Sequence, residues 1–314
     1  MKCFSIVAVI FILIIVYYMT SLWYKFGLMS EANLLGIYGG GYVIITGASS
    51  GQGRQFALGL ASRGFDICII GSKRSYNVKK EIETMNRKCT VFERDLRKPW
   101  DDEFDGLIRD FVYSHNVSGL INNVGHRVGW FPYHLMLGKL IDDTVSCGIY
   151  PMVHLTRVVL PKLLERDRSF LIFVTAQCVY PGGSITVPGL AAYEATNAFG
   201  HHYAESIIRE YDYRSNLDIL NVTPGAVITS NTKNSLANTT FAVTEEHFVS
   251  NILKFLGGNV PNGAVCGDWK HEISIDIFAP LFPPILEDST RQAGISIATE
   301  YMDKYRSRSV RSYP

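Results

Sequence analysis

Several common functional signatures are missing from this 314-residue chain. Its six cysteines (Cys3, Cys68, Cys89, Cys147, Cys178 and Cys266) form no C-x-x-C pair, and no Cys/His group has zinc spacing. No metal is therefore expected, and the thiols read as reduced side chains of a cytosol-facing domain. An excess of one charge is also lacking: 30 Lys and Arg stand against 29 Asp and Glu, a formal net charge of +1. Without a basic stretch interleaved with aromatics ahead of the C-terminus, nothing argues for nucleic acid as a partner. There is no internal repeat and no Pro/Ser-rich linker, so a single large domain is expected behind the N-terminus. Hydrophobic residues make up 47% of the chain, enough for a full core. Sequons at Asn116, Asn221 and Asn238 carry little weight, and Asn221 lies in LDILNVTP, an apolar run that reads as a buried strand.

Charge is absent altogether from residues 3 to 19, CFSIVAVIFILIIVYYM, and the run continues uncharged to Lys25. About 20 apolar residues rising 1.5 Å each cover a bilayer core of about 30 Å. Tyr17, Tyr18, Trp23 and Tyr24 gather near one end, as an aromatic belt does. A cleaved signal peptide is the rival reading, but its small-residue A-x-A cleavage pattern is missing. The run is expected to be a retained anchor. Lys2 and Lys25 flank it almost equally, so charge does not set its orientation. The expected organisation is an anchor at 1–25, a linker at 26–40, a nucleotide-binding domain at 41–277 and a C-terminal extension at 278–314.

From residue 42 the chain alternates strands with helices. YVIIT (42–46), DICII (66–70), CTVFE (89–93), VSGLINN (117–123), SFLIFVT (169–175) and LDILNVT (217–223) are short, continuous apolar runs. Helical spacing separates the early ones, as in RQFALGLASRG and SYNVKKEIETMNRK. Continuous apolar strands alternating with helices predict an α/β fold with a doubly wound parallel sheet covered on both faces.

The first strand ends in Thr46-Gly47-Ala48-Ser49-Ser50-Gly51-Gln52-Gly53, and a helix follows. Glycines in such a turn let the backbone approach a pyrophosphate, and the helix N-terminus supplies free N–H groups and a positive dipole end. After the second strand stand Gly71, Ser72, Lys73 and Arg74 where an NAD site usually places an acid for the ribose 2′-hydroxyl. Arg54 follows the last turn glycine. These cations suit a 2′-phosphate, so NADP(H) is the expected cofactor.

TGASSGQG resembles the cofactor turn of the short-chain dehydrogenase/reductase family. Further matches follow in order: Asp95-Leu96 resembles its adenine contact, Asn122-Asn123-Val124-Gly125 its N-N-x-G motif, and Pro224-Gly225-Ala226-Val227-Ile228-Thr229 the segment that covers the nicotinamide. The resemblance implies a Rossmann-like fold, with Thr46, Gly47, Ser49, Ser50, Gly51, Gln52, Gly53, Arg54, Arg74, Asp95, Asn122, Tyr193, Asn197, Pro224 and Thr229 at the cofactor. The anchor, the valine in NNVG, LTRVVLPKLLER (155–166) and DSTRQAG near the C-terminus are similar to the membrane-bound branch of 17-beta-hydroxysteroid dehydrogenases and very-long-chain 3-oxoacyl-CoA reductases. That implies a single-pass endoplasmic-reticulum protein with a cytosolic domain, a steroid or fatty acyl thioester substrate, and a homodimer built on the tyrosine helix.

The same resemblance implies a tyrosine that donates the proton, a lysine one helical turn on, a serine after the fifth strand and an asparagine in the preceding helix. Tyr193 in YEATN matches the tyrosine, but Asn197 stands at the lysine position. An amide can hydrogen-bond a ribose, yet it carries no charge to lower a phenol pKa near 10. The serine position reads Thr175-Ala176 and is followed by a longer loop, in which Thr175, Gln177, Tyr180 or Ser184 could substitute. The asparagine position falls on Gly148, beside Cys147. His201, roughly 12 Å along the helix from Tyr193, is too far to take the lysine's role. The chain thus reads as an oxidoreductase with an altered catalytic set, or as an inactive NADP- or lipid-binding relative. IFAPLFPPIL (277–286) is too short and proline-broken to span a bilayer, and the tail KYRSRSVR suits either solvent or anionic headgroups.

Overall fold

The computed structural model describes residues 2–126, 132–179, 189–229, 241–258 and 260–281, with a few isolated positions beyond. Nine strands lie among them: β1 (Tyr42–Thr46), β2 (Asp66–Gly71), β3 (Cys89–Glu93), β4 (Val117–Asn122), β5 (Ser169–Val174), β6 (Leu217–Val222), β7 (Val227–Ile228), β8 (Val243–Thr244) and β9 (Gly263–Val265). Seven form one parallel sheet in the order β3-β2-β1-β4-β5-β6-β9, and β7 pairs with β8 apart from it. The six apolar runs all become strands of this sheet. Its order reverses between β1 and β4, the switch point at which doubly wound sheets open a ligand crevice.

The helices are α1 (Lys2–Trp23), α2 (Leu34–Tyr38), α3 (Gly51–Ser62), α4 (Ser75–Thr84), α5 (Asp102–Ser114), α6 (Gly138–Leu164), α7 (Ala191–Tyr211), α8 (Glu245–Phe255) and α9 (Trp269–Ile273). One face of the sheet packs against α2, α3, α4 and α8 through Phe56, Leu60, Phe170 and Phe248. The other packs against α5, α6 and α7 through Ile108, Leu155, Phe173 and Ala204. Burying each large apolar side chain contributes about 1.5–3 kcal/mol. This explains why the strands read as unbroken apolar runs rather than alternating ones.

Among the described residues one helical stretch, Ala8–Leu28, is long and apolar enough to cross a bilayer. Its side chains from Ile10 to Val16 are about half exposed or more. Residues 26–40, expected as a linker, instead carry α2, whose Leu34 and Tyr38 are buried. The Tyr38 hydroxyl accepts from Gly257 N at 2.7 Å and donates to Asp218, so this segment belongs to the body. Cys68, Cys89, Cys147 and Cys266 are buried free thiols and Cys178 is a half-buried one. Asn221 is fully buried in β6.

Candidate active site

A cleft of about 1160 Å³ opens at the C-terminal ends of β1, β2, β4, β5 and β6. Its floor begins at the glycine turn. Gly47 adopts φ +69°, and a Cβ there would stand 3.1 Å from the Val124 backbone. A Cβ on Gly53 would lie 2.6 Å from Gly47 O and 2.5 Å from Asn123 Nδ2. Only glycine permits both approaches, which bring NNVG against TGASSGQG. Thr46 Oγ1 accepts from the N–H groups of Asn123 and Val124 at 2.9 and 3.0 Å, and Asn123 Nδ2 donates to Thr46 O at 2.9 Å. Thr46 and Asn122 are buried and hold the turn from behind. Asn122 Nδ2 donates to Thr156 Oγ1 of α6 at 3.0 Å. Neither lines the cleft, whereas Gly47, Ser49, Ser50, Gly51, Gln52 and Gly53 do.

The N-terminus of α3 faces this space without a side-chain cap, so its first N–H groups are available to an anion. Gln52 Oε1 is buried beside it with no hydrogen-bond partner. A glycine cradle and an uncapped helix start together fit a nucleotide pyrophosphate, whereas the Gln52 oxygen, an acceptor, suits a hydroxyl or N–H donor. Arg54 does not join them: its guanidinium pairs with Glu81 of α4 at 2.5 Å and lies outside the lining.

Lys73 and Arg74, at the end of β2, do line the cleft, and so does Asp95. Arg97 grips the Asp95 carboxylate through two hydrogen bonds of 2.9 and 2.8 Å. Those bonds hold its pKa down to about 2 despite partial burial. Arg94, Arg97 and His126 add to the basic lining. Burial and the nearby Arg97 push the His126 pKa below its ordinary value. None of these three was singled out from sequence, because the loops after β3 and β4 carry no periodic pattern that aims a side chain.

At the far end, Tyr193 sits in the first turn of α7, its ring 3.9 Å from where a Gly125 Cβ would be. Pro224, Gly225, Val227 and Thr229 line the opposite wall, and Asn197 lies one turn beyond Tyr193. The Asn197 amide donates to Tyr193 O at 2.8 Å, turned back on its own helix. Thr196 Oγ1 donates to the same carbonyl at 2.8 Å.

The substitutes considered for the serine fare differently. Thr175 Oγ1 lies 3.2 Å from both Asn221 Oδ1 and Val222 O, and its methyl faces Gly200. The Gln177 amide donates to His271 O at 2.9 Å and to Ser274 Oγ, away from the cleft. Tyr180 and Ser184 lie outside the described residues. Gly148 is packed tight, since a Cβ there would stand 2.9 Å from Thr196 Cβ and Oγ1. His201 bonds Asn221 Nδ2 through Nδ1 at 2.8 Å, and Asn221 Nδ2 also donates to Glu205 at 3.0 Å. That makes His201 a packing histidine between α7 and β6.

The profile of the short chain dehydrogenases matches residues 41–240, the stretch that builds this cleft. The chain belongs to that family. Among curated relatives of this short-chain dehydrogenase, 17-beta-hydroxysteroid dehydrogenase type 3 of Danio rerio is 29% identical over 69% of this chain and 70% of its own length. The mouse protein of that name is 26% identical over 84% of this chain and 83% of its own. Very-long-chain 3-oxoacyl-CoA reductase of Pyricularia oryzae is 29% identical over 54% of this chain and 52% of its own. A solved 7beta-hydroxysteroid dehydrogenase superposes with TM-score 0.71 at 17% identity, covering 82% of this chain and 99% of its own. A 3-oxoacyl (acyl-carrier-protein) reductase from Agrobacterium tumefaciens with NADP bound gives TM-score 0.62 at 20% identity, covering 78% of this chain and 99% of its own. At such identities these structures speak to the Rossmann-like fold alone.

Proposed function

We propose that this is a membrane-anchored, NADP(H)-dependent oxidoreductase that interconverts a keto and a hydroxy group on a steroid or fatty acyl thioester, slowly, with an altered catalytic set. The observation that carries the reading is the continuity of the cleft: it runs from Gly47–Gly53, past Lys73 and Arg74, to Tyr193 and the Pro224–Thr229 wall. The turn and the α3 N-terminus would hold the pyrophosphate. Lys73 and Arg74 would meet a 2′-phosphate, Asp95 would face the adenine, and Thr229 and Asn197 would lie at the nicotinamide end. A nicotinamide held there would supply hydride-transfer chemistry at the carbonyl carbon. The Tyr193 hydroxyl gives its proton to the carbonyl oxygen, and the reverse direction returns both. Asn197 brings no ammonium to help the phenol give up its proton, which costs rate but not binding. The steroid and acyl-CoA names of the relatives favour a lipid substrate. The α1 helix would hold the body at the endoplasmic-reticulum membrane, facing the cytosol.

A second reading, a nucleotide- or lipid-binding protein without turnover, is favoured by one observation: the hydroxyl of Thr175 and the amides of Gln177 and Asn197 are bonded within the protein. Full-length protein in lipid nanodiscs should quench or enhance NADPH fluorescence at micromolar concentrations. It should then reduce oestrone or a 3-oxoacyl thioester, with turnover lost in Tyr193→Phe. Binding without turnover selects the second reading, and absence of NADPH binding overturns both.

A further inference from the structure

Among the described side chains of α1, those ahead of Tyr18 are exposed, but the base of the helix and the turn after it are not. Tyr18 and Leu22 at the end of α1, Lys25 and Phe26 in the π-helical turn that continues it (Tyr24–Leu28) and Met29 just after are all at least partly buried, unlike their exposed neighbours Tyr17, Met19, Trp23, Tyr24 and Leu28. That face lies on α9 and the turn after it. The Tyr18 hydroxyl donates to Asp276 at 3.1 Å, and Lys25 forms an ion pair with Glu272. The Lys25 ammonium also sits 5.3 Å from the Phe255 ring of α8, which meets Phe26 edge-on at 5.7 Å. Burial pushes the Glu272 carboxyl above its usual pKa, and Lys25 is the charge that pulls it back.

The opposite side of α9 holds the cleft wall. The fully buried His271 ring accepts from Gly225 N at 3.3 Å and lies 3.4 Å from Ala226 O, clasping the loop after β6. The carbonyl of His271 and the hydroxyl of Ser274 receive the Gln177 amide, and Gln177 N donates to Pro224 O at 2.9 Å. Gly225 is required by this closeness, because a Cβ there would stand 2.7 Å from the His271 ring.

We propose that the base of α1 is a positioning element for the cleft: the Lys25–Glu272 pair seats α9, and α9 in turn seats the Pro224–Val227 loop and the start of the loop after β5. Docking of the anchor and the shape of the nicotinamide wall are then one coupled structure. The consequence for cofactor affinity rests on the proposed NADP(H) reading; the mechanical coupling does not.

The test is amide hydrogen exchange on full-length protein in nanodiscs without cofactor. Lys25→Gln and Glu272→Gln should each speed exchange in peptides covering 222–227 and 175–179 by about 3- to 10-fold, as local opening there becomes easier. The reversed pair Lys25→Glu with Glu272→Lys should restore it, which separates coupling from misfolding. Lys162→Gln, a surface change at a pair with Glu165, should leave those peptides unchanged. Wild-type exchange rates at 222–227 in both Gln variants, with α1 still inserted, would overturn the coupling. In a parallel NADPH titration the Gln variants should bind about threefold or more weakly. A wild-type protein that binds no NADPH yet shows the exchange response removes the cofactor reading and leaves the coupling standing.

Discussion

Restoring the family's asparagine at residue 148 should fail for a steric reason that can be measured with a simpler substitution. Gly148 lies inside α6, where glycine is ordinarily a poor choice, and Ala should gain about 1 kcal/mol. Yet a methyl there would stand 2.9 Å from Thr196 Cβ and Oγ1 and 3.3 Å from Cγ2. Comfortable carbon contacts begin near about 3.5 Å, so α6 and α7 must part by roughly half an ångström. Overpacking of that kind costs about 1–3 kcal/mol, and the net for Gly148→Ala is a loss of about 0–2 kcal/mol. Thr196→Gly in the same chain removes all three close contacts. A double-mutant cycle should therefore show about 1–3 kcal/mol of favourable coupling. In thermal unfolding, where each kcal/mol moves the midpoint by roughly 2–4 °C for a domain of this size, the double variant should melt several degrees above the sum of the singles. If Gly148→Ala raises the midpoint and the cycle sums to zero, the packing argument is wrong.

Three further outcomes follow from the site. Asn197→Lys places an ammonium one helical turn from Tyr193, and a cation within about 4–6 Å of an acid lowers its pKa by about 1–3 units. In the oxidation direction the pH of half-maximal rate should fall by about 1–3 units; an unmoved profile removes Tyr193 as the base. Arg74→Glu should weaken NADPH by about 10-fold or more while leaving NADH nearly unchanged, read by parallel fluorescence titrations; equal losses would place Arg74 away from the 2′-phosphate. His271 is buried with its pKa below the ordinary value, burial being the main cause, while Asp268 and the Cys266 and Ala226 carbonyls pull the other way. The unfolded chain thus takes up that proton first, so stability should fall as pH drops below about 6.5. His271→Gln should flatten the melting-temperature decline between pH 7.5 and 5.5 relative to wild type, with His126 and His201 unchanged in both.

Five of the six long strands were legible because they are buried on both faces and so spell apolar runs; β3, at the sheet edge and only partly buried, was legible from its alternation with helices. Strand β9 was not: Gly263–Val265 is three residues long, and its place depends on pairing with β6. Gly47 through Gly53 could be placed by local geometry alone. Arg54 could not, because its partner Glu81 comes from a separate helix and takes the cation out of the cleft. Asn197 was readable as an uncharged residue at a lysine position, but nothing in YEATN says that its amide folds back to Tyr193 O. Gln177 is the clearest case of a role hidden from sequence, since its partners His271 and Ser274 lie more than 90 residues downstream. Local pattern reports elements and turn chemistry; the choice of partner for a polar side chain is decided by tertiary approach.

The buried position of Asn221 bears on which side of a membrane this body can be built. Asn221-Val222-Thr223 is an acceptor triplet for N-linked sugar, and its amide nitrogen is already bonded to His201 and Glu205 in the seam between β6 and α7. A glycan on that nitrogen would occupy the space of α7 and prevent the sheet from being covered. A chain threaded into the lumen therefore exposes, before it folds, a mark that forbids folding. One synthesised on the cytosolic face never meets the transferase. The sixth strand thus makes sugar addition at Asn221 and the native state mutually exclusive.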